Sequence, residues 1–311
     1  MHSEHLHQRA DSHADAAGDE FRAIKPTIAI VGAGVVGSTL ARLLAARGYH
    51  VTSITSRTRA HADALAALVG ARMVESPEID ADLVLIAVPD DAISATAASL
   101  AGFSGKAAIH TSGVYDASVL ETLAARGVQV GSLHPAYPFA DVEAAIGGLP
   151  GATFALEATD EPLMGWLRGI VVALDGRVML IPPGGKALYH AALSIAANYT
   201  VTLYALAERL LVGLGAERDA ADNALDGLLA GTLANLRGQG IPAALTGALT
   251  RGDIGTIAAH LDALAAVDED AVEVYRNLAR LTYPLLRARG VALDEIERLL
   301  QQESDDAKHG P

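Results

Sequence analysis

The chain has 311 residues, 51% of them hydrophobic and only 4% aromatic, with a formal net charge of −14 and no cysteine. That length accommodates two domains with cores built from Ala, Leu, Val and Ile, and that charge argues against nucleic acid or an anionic membrane as a partner. The missing cysteines exclude disulfides, thiolate nucleophiles and Cys-ligated metals, which fits a cytoplasmic protein.

Residues 1–24 are polar and rich in His, Asp and Ala. They have no apolar run and read as a disordered tail, not a signal peptide. Residues 302–311 read the same way. From Thr27 to about Pro182 short apolar strands alternate with helices, the pattern of a doubly wound parallel sheet. Strands are expected at Thr27–Val31, His50–Thr55, Arg72–Val74, Leu83–Val88, Ala107–His110, Val128–Leu133, Thr153–Glu157 and Arg177–Ile181. Helices are expected at Val35–Arg47, Thr58–Leu68, Asp90–Leu100, Ala117–Arg126 and Glu161–Leu174. After Pro182-Pro183-Gly184-Gly185 no strand pattern remains. A long helix from Lys186 to Leu214 is expected there, then helices at Glu217–Gly238, Ile241–Leu249, Ile254–Leu264, Glu269–Arg289 and Leu293–Gln301. The plan is an α/β Rossmann domain over 25–183 followed by an all-helical domain over 184–301. The run Ala187–Leu206 approaches membrane-spanning length, but its Tyr, His, Ser, Asn and Thr residues argue for a core or interface helix.

The first strand breaks at Gly32-Ala33-Gly34-Val35-Val36-Gly37 and passes into a helix. This is the strand, glycine turn and helix that hold a dinucleotide pyrophosphate. The second strand runs into Ser56-Arg57-Thr58-Arg59 instead of ending in Asp or Glu. Ser and Arg bind a ribose 2′-phosphate that a carboxylate would repel, so the expected cofactor is NADP.

Ligands of open parallel sheets bind beyond the carboxyl ends of the strands. There, Val88-Pro89 either lines the cofactor or makes a plain turn capped by Asp90. His110, Ser112 and His134 follow the fifth and sixth strands and are candidates for substrate binding, against the alternative of ordinary loop histidines. Lys186, His190, Ser194, Asn198 and Thr202 are spaced four apart on one helical ridge. Their types suit a small polar ligand, the alternative being a buried polar seam between helices. Lys186 is the candidate proton donor, with His190 and Asn198 orienting substrate and Ser194 lining the same ridge. Arg251, in Arg251-Gly-Asp253, either binds a substrate carboxylate or pairs with Asp253 as the next helix is capped.

Taken together, Gly32–Gly37, His110-Thr-Ser-Gly113, Leu133-His-Pro135 with Phe139, Lys186-Ala-Leu-Tyr-His190 with Asn198, and Leu245-Thr-Gly247 with Arg251-Gly-Asp253 carry a resemblance over about Thr27 to Leu300. The chain resembles the 6-phosphogluconate dehydrogenase-like superfamily, which includes ketopantoate reductase and pyrroline-5-carboxylate reductase. More closely it is similar to a bacterial family with a Rossmann-like domain and a C-terminal helical domain of unknown function. The resemblance implies an NADPH-dependent reductase of a small 2-oxo acid, 2-dehydropantoate first, and a homodimer formed through the helical domain. Lys186 matches the lysine of ketopantoate reductase, whereas His190 stands at the place of its asparagine and Ala248 at that of a proline. Two rivals share the fold: an imine or deazaflavin-linked reductase, and a non-catalytic NADP sensor.

Overall fold

The computed structural model describes residues 25–75, 79–100 and 102–301; the two terminal tails lie outside the described residues. The chain divides into two compact units, residues 1–198 and 199–311, so the helix that begins at Lys186 belongs to the first, whereas the Pro-Pro-Gly-Gly stretch marked the expected boundary.

The first unit is built on eight strands: β1 Ile28–Val31, β2 Val51–Thr55, β3 Arg72–Met73, β4 Leu83–Ile86, β5 Ala107–His110, β6 Gln129–Pro135, β7 Thr153–Ala158 and β8 Arg177–Leu180. They form one sheet in the order β3-β2-β1-β4-β5-β6-β7-β8. All pairings are parallel except β6–β7. The reversal was not expected. The β6–β7 connection also holds an unforeseen short helix, α5 (Val142–Gly148), whose first turn Asp141 caps by accepting from Ala144 N at 2.9 Å.

The four residues of β1 and of β4 are all buried, because helices cover both faces. On one face α1 (Val35–Ala46), α2 (Arg59–Val69) and α6 (Glu161–Ala173) contribute Leu40, Leu44, Leu65, Leu167 and Ile170 to a core with Ile28 and Ile30. On the other, α3 (Ile93–Ser99) and α4 (Glu121–Ala124) pack Ile93, Ala97 and Leu123 against Val31, Val84 and Ile86. Each fully buried Leu or Ile stabilises by about 1.5–3 kcal/mol.

The register matters most for the site. Val31 pairs with Thr55 and with Ile86, Ile86 with His110, His110 with Ser132, and Ser132 with Glu157. One row thus crosses six strands near the sheet's carboxyl edge, apolar in the middle and polar from His110 onward.

The expected helix Lys186–Leu214 is two helices, α7 (Lys186–Ala196) and α8 (Asn198–Gly213). Ala197 between them is a turn residue with its φ widened to −107°, so the four-residue ridge lies within one helix only as far as Ser194.

The second unit contains α9 (Arg218–Gln239), α10 (Ala248–Arg251), α11 (Ile254–Ala265), α12 (Glu269–Ala288) and α13 (Asp294–Gln301). Its core is Ile257, Leu261, Val272, Leu286, Ile296 and Leu300. The helix expected over Ile241–Leu249 is instead a turn followed by the one-turn α10. Pro242 has no amide to donate, and Gly247 adopts φ +100°, which other residues avoid.

Candidate active site

The glycine turn connects β1 to α1. Gly32 adopts φ +110°, and a Cβ there would meet Ala87 O at 2.1 Å. A Cβ on Gly37 would meet Gly32 O at 1.9 Å, whereas one on Gly34 would meet nothing within 4 Å. Gly32 and Gly37 are therefore dictated by the protein's own packing, and Gly34 by the space in front of it. No side chain caps the N-terminus of α1, which leaves its amides to an anion. A cavity of about 570 Å³ opens beside the turn, lined by Gly32, Ala33, Gly34, Ser56, Arg57 and Thr58, and by Val88 and Pro89. Val35 faces an adjoining cavity that Gly34 also lines. Val36 packs on the core and Gly37 is buried.

The two arginines differ. Arg57 lines the cavity and has no side-chain partner among the described residues. Arg59 pairs with Glu75 and lies 3.7 Å from Asp63. Glu75 also lines the cavity; its place beside Arg59 depends on β3 pairing with β2, which sequence reading did not use. Thr55, in the same lining, has a buried hydroxyl without a partner among the described residues. The residues present thus fit NADP: a glycine cradle and a free helix N-terminus for the pyrophosphate, with Ser56 and Arg57 for the 2′-phosphate.

Further along the sheet edge lies a polar cluster. His110 is fully buried. Its Nδ1 accepts from Ser112 N at 3.1 Å, and its Nε2 is 3.1 Å from Asp116 O. Both ring nitrogens are spent on folding the 110–116 loop, so His110 holds the loop in place. Burial, reinforced by the positive Lys186, lowers its pKa to about 4. Ser112 is buried as well; its Oγ accepts from Val114 N and Tyr115 N, each at 3.1 Å. It too shapes the loop that presents Gly113.

His134 is partly exposed, and its Nδ1 lies 2.8 Å from the Tyr189 hydroxyl. Its ring meets those of Tyr189 and His190 edge-on at 5.5 and 6.1 Å. Burial, then Lys186 and the other histidines, lowers its pKa to about 4. Burial pushes Tyr189 up to about 12. Both groups are neutral near pH 7. Tyr189 escaped the sequence reading because it lies one residue off the four-residue ridge.

Lys186 opens α7 and is only 2% exposed. Its Nζ donates to Ser132 Oγ at 3.1 Å and sits 6.0 Å from the Tyr189 ring. Burial lowers its pKa to about 8, opposed by Glu157, Asp90 and Asp116. A buried ammonium of that acidity, beside neutral imidazoles and a phenol, is an arrangement for proton donation. His190 belongs to the cluster. Ser194 is partly exposed on the same helix, and Asn198 is exposed at the start of α8, beyond the break in the ridge. Arg251 lies in the second unit, 3.9 Å from Asp253. Asp253 caps α11, accepting from Thr256 N at 3.1 Å, so the capping alternative holds for that motif.

Residues 27–112 match the family described as NADP oxidoreductase, coenzyme F420-dependent, and residues 152–282 match a domain of unknown function, DUF2520. No curated protein matches the sequence. Among solved structures, the chain is similar to a protein from Thermotoga maritima at 23% identity and TM-score 0.70, over 84% of this chain and 99% of that one. It is similar to a pyrroline-5-carboxylate reductase from Coxiella burnetii at 17% identity and TM-score 0.56, over 89% and 99%. It is similar to a reductive aminase from Aspergillus terreus, solved with NADPH, cyclohexanone and allyl amine, at 24% identity and TM-score 0.53, over 86% and 96%. At these identities the structural likenesses establish the fold. The family match over the glycine turn makes the chain an NADP-dependent oxidoreductase with NADP as its cofactor.

Proposed function

We propose that the protein reduces a polarised C=N or C=O bond of a small molecule, with Lys186 as proton donor. The observation that carries this reading is Lys186 itself: a buried ammonium on the carboxyl edge, bonded to Ser132 in the register row that also runs past the glycine turn. NADPH supplies the hydride when bound. Lys186 Nζ delivers a proton to the nitrogen or oxygen that receives the bond's electron pair. Tyr189 and His134, held together at 2.8 Å, line the approach as neutral hydrogen-bonding groups, and His190 orients the substrate against them.

The imine is the leading substrate class. A pyrroline-5-carboxylate reductase and a reductive aminase have this fold, and both names point to a C=N bond as the one reduced. A 2-oxo acid, with 2-dehydropantoate foremost, is the second reading. It draws on Lys186 standing at the lysine position of ketopantoate reductase. The test is NADPH oxidation with cyclic imines, ketone–amine pairs and 2-oxo acids, wild type against Lys186→Met. Turnover with any of them that survives Lys186→Met overturns the assignment of the proton donor. No turnover with any of them, despite tight NADPH binding, favours a sensor instead.

We propose further that the second unit pairs with a second copy of the chain. Helix α8 has no buried residue and the 22-residue α9 has one, while Leu228, Leu233 and Leu236 are exposed. Apolar helix faces of this extent are usually covered in solution. Light scattering on the purified chain tests it; a monomer at micromolar concentration refutes it.

A further inference from the structure

An ammonium buried as deeply as Lys186 needs a counter-charge, and a proton donor out of contact with bulk water needs a route by which its proton is replaced. The structure supplies one path for both. Lys186 Nζ donates to Ser132 Oγ at 3.1 Å, and Ser132 is wholly buried. Ser132 stands directly opposite Glu157 in the antiparallel β6–β7 ladder, so the two side chains leave one face of the sheet with Cβ atoms about 5 Å apart. That register places the Ser132 hydroxyl beside the Glu157 carboxylate, which accepts from Ala117 N at 3.0 Å. Glu157 is partly exposed, so the chain of groups leads from the interior to solvent.

The other groups facing Lys186 do not form such a path. Asp90 is exposed in the turn after β4, and the Asp116 carboxylate accepts from Ser118 N at 3.0 Å. His110 is engaged by its own loop, and His134 by Tyr189. His190 and the Tyr189 phenol complete the surroundings.

We infer that Glu157, acting through Ser132, is the positioning residue that holds Lys186 in its ammonium form and returns its proton after each turnover. The inference rests on Lys186 being the proton donor. Once Nζ has given up its proton, solvent protonates the Glu157 carboxylate, the neutral amine takes the Ser132 hydroxyl proton, Ser132 takes the one on the Glu157 carboxyl group, and Glu157 is again the carboxylate that faces the ammonium. One proton enters for each that leaves, with no redox change. The electrostatics agree. Burial holds Glu157 above the usual carboxylate range, which lets it carry a proton, and Glu157 is the largest charge opposing the desolvation of Lys186.

The test is an NMR titration of the full-length chain with isotope-labelled lysine side chains, Lys186 being identified by its loss in Lys186→Met. The Lys186 midpoint should fall by about one pH unit or more in Glu157→Gln and in Ser132→Ala, and recover in Glu157→Asp. An unchanged midpoint in Glu157→Gln overturns the inference. A fall in Glu157→Gln with none in Ser132→Ala overturns it too, since the charge would then act across space and not through the hydroxyl. The titration uses no substrate, so it can fail while NADPH oxidation still depends on Lys186. The converse holds as well.

Discussion

The backbone at Gly113 runs directly against the imidazole of His134: a Cβ added to Gly113 would lie 2.8 Å from His134 Nε2, and 2.5 Å from Cδ2 of His190. His134 is held by Tyr189, and the His190 ring packs edge-on against that of His134, so neither moves without disturbing the cluster. Gly113 is thus the spacer that lets the 110–116 loop close over the two histidines of the proposed site. Gly113→Ala should fold, at a cost of about 1–3 kcal/mol, yet lose more than tenfold in turnover as the rings part. Melting temperature and turnover measured together check it; wild-type turnover would refute it.

The three glycines of the cofactor turn separate by cause. Gly34→Ala should leave stability unchanged and weaken NADPH binding at least tenfold, because only ligand space lies in front of it. Gly32→Ala should unfold the turn region or cost more than about 2 kcal/mol, since it combines φ +110° with a contact at 2.1 Å. Gly37→Ala clashes with Gly32 O and should behave like Gly32→Ala. Thermal melts with and without NADPH distinguish the two classes. Equal destabilisation of all three would show that the open space at Gly34 is not a ligand's.

The glycine turn was legible because its meaning is local: three glycines between an apolar strand and a helix have few physical explanations. The roles of His110 and Ser112 were not legible. Their placement at a strand end is local, but their partners, Asp116 O and the amides of Ser112, Val114 and Tyr115, depend on how the loop folds back. Lys186 stood out on the ridge, but its partners did not. Ser132 and Glu157 are 25 residues apart and meet only because β7 runs antiparallel to β6, a reversal that no periodicity in either strand announces. The ridge itself was overextended, because nothing in the composition around Ala197 marks a break.

Arg57 and Arg59 should contribute unequally to NADPH binding. Losing a charge-assisted bond to the 2′-phosphate costs about 1.5–3 kcal/mol, or roughly tenfold to a hundredfold in affinity. Arg57→Ala should show that loss for NADPH and little for NADH. Arg59 is already engaged by Glu75 and Asp63, so Arg59→Ala should cost less. Glu75→Gln removes a carboxylate from the cavity wall and frees Arg59, and should tighten NADPH binding several-fold. Dissociation constants for both nucleotides check the order; an Arg59→Ala loss larger than that of Arg57→Ala would reverse the assignment.

Lys186→Met should lower turnover by about 10²-fold or more while NADPH affinity stays within threefold, because Lys186 is absent from the cofactor cavity lining. In the wild type, a proton donor with a pKa of about 8 is competent below that pH and spent above it. Turnover under saturating substrate should therefore fall as pH rises through about 8. A plateau extending to pH 10 would exclude Lys186 as the titrating donor.

The same burial makes the fold acid-sensitive. His110 is neutral in the folded chain, with its pKa lowered from the ordinary 6.5 to about 4. Below pH 6.5 the unfolded chain binds a proton that the folded chain refuses, so the stability contributed by His110 is fully present above about pH 6.5 and lost as pH falls through about 4. The full effect is roughly 3 kcal/mol. His134, lowered to about 4 as well, acts in the same window and in the same direction. Urea midpoints measured from pH 7 to pH 4 should decline steeply in the wild type and less steeply in His110→Gln, whose side chain does not titrate. Carboxylates titrating lower in that range are common to both proteins and cancel in the comparison. Parallel curves for the two would mean that His110 accepts its proton without leaving the loop, against the tautomer that Ser112 N and Asp116 O impose.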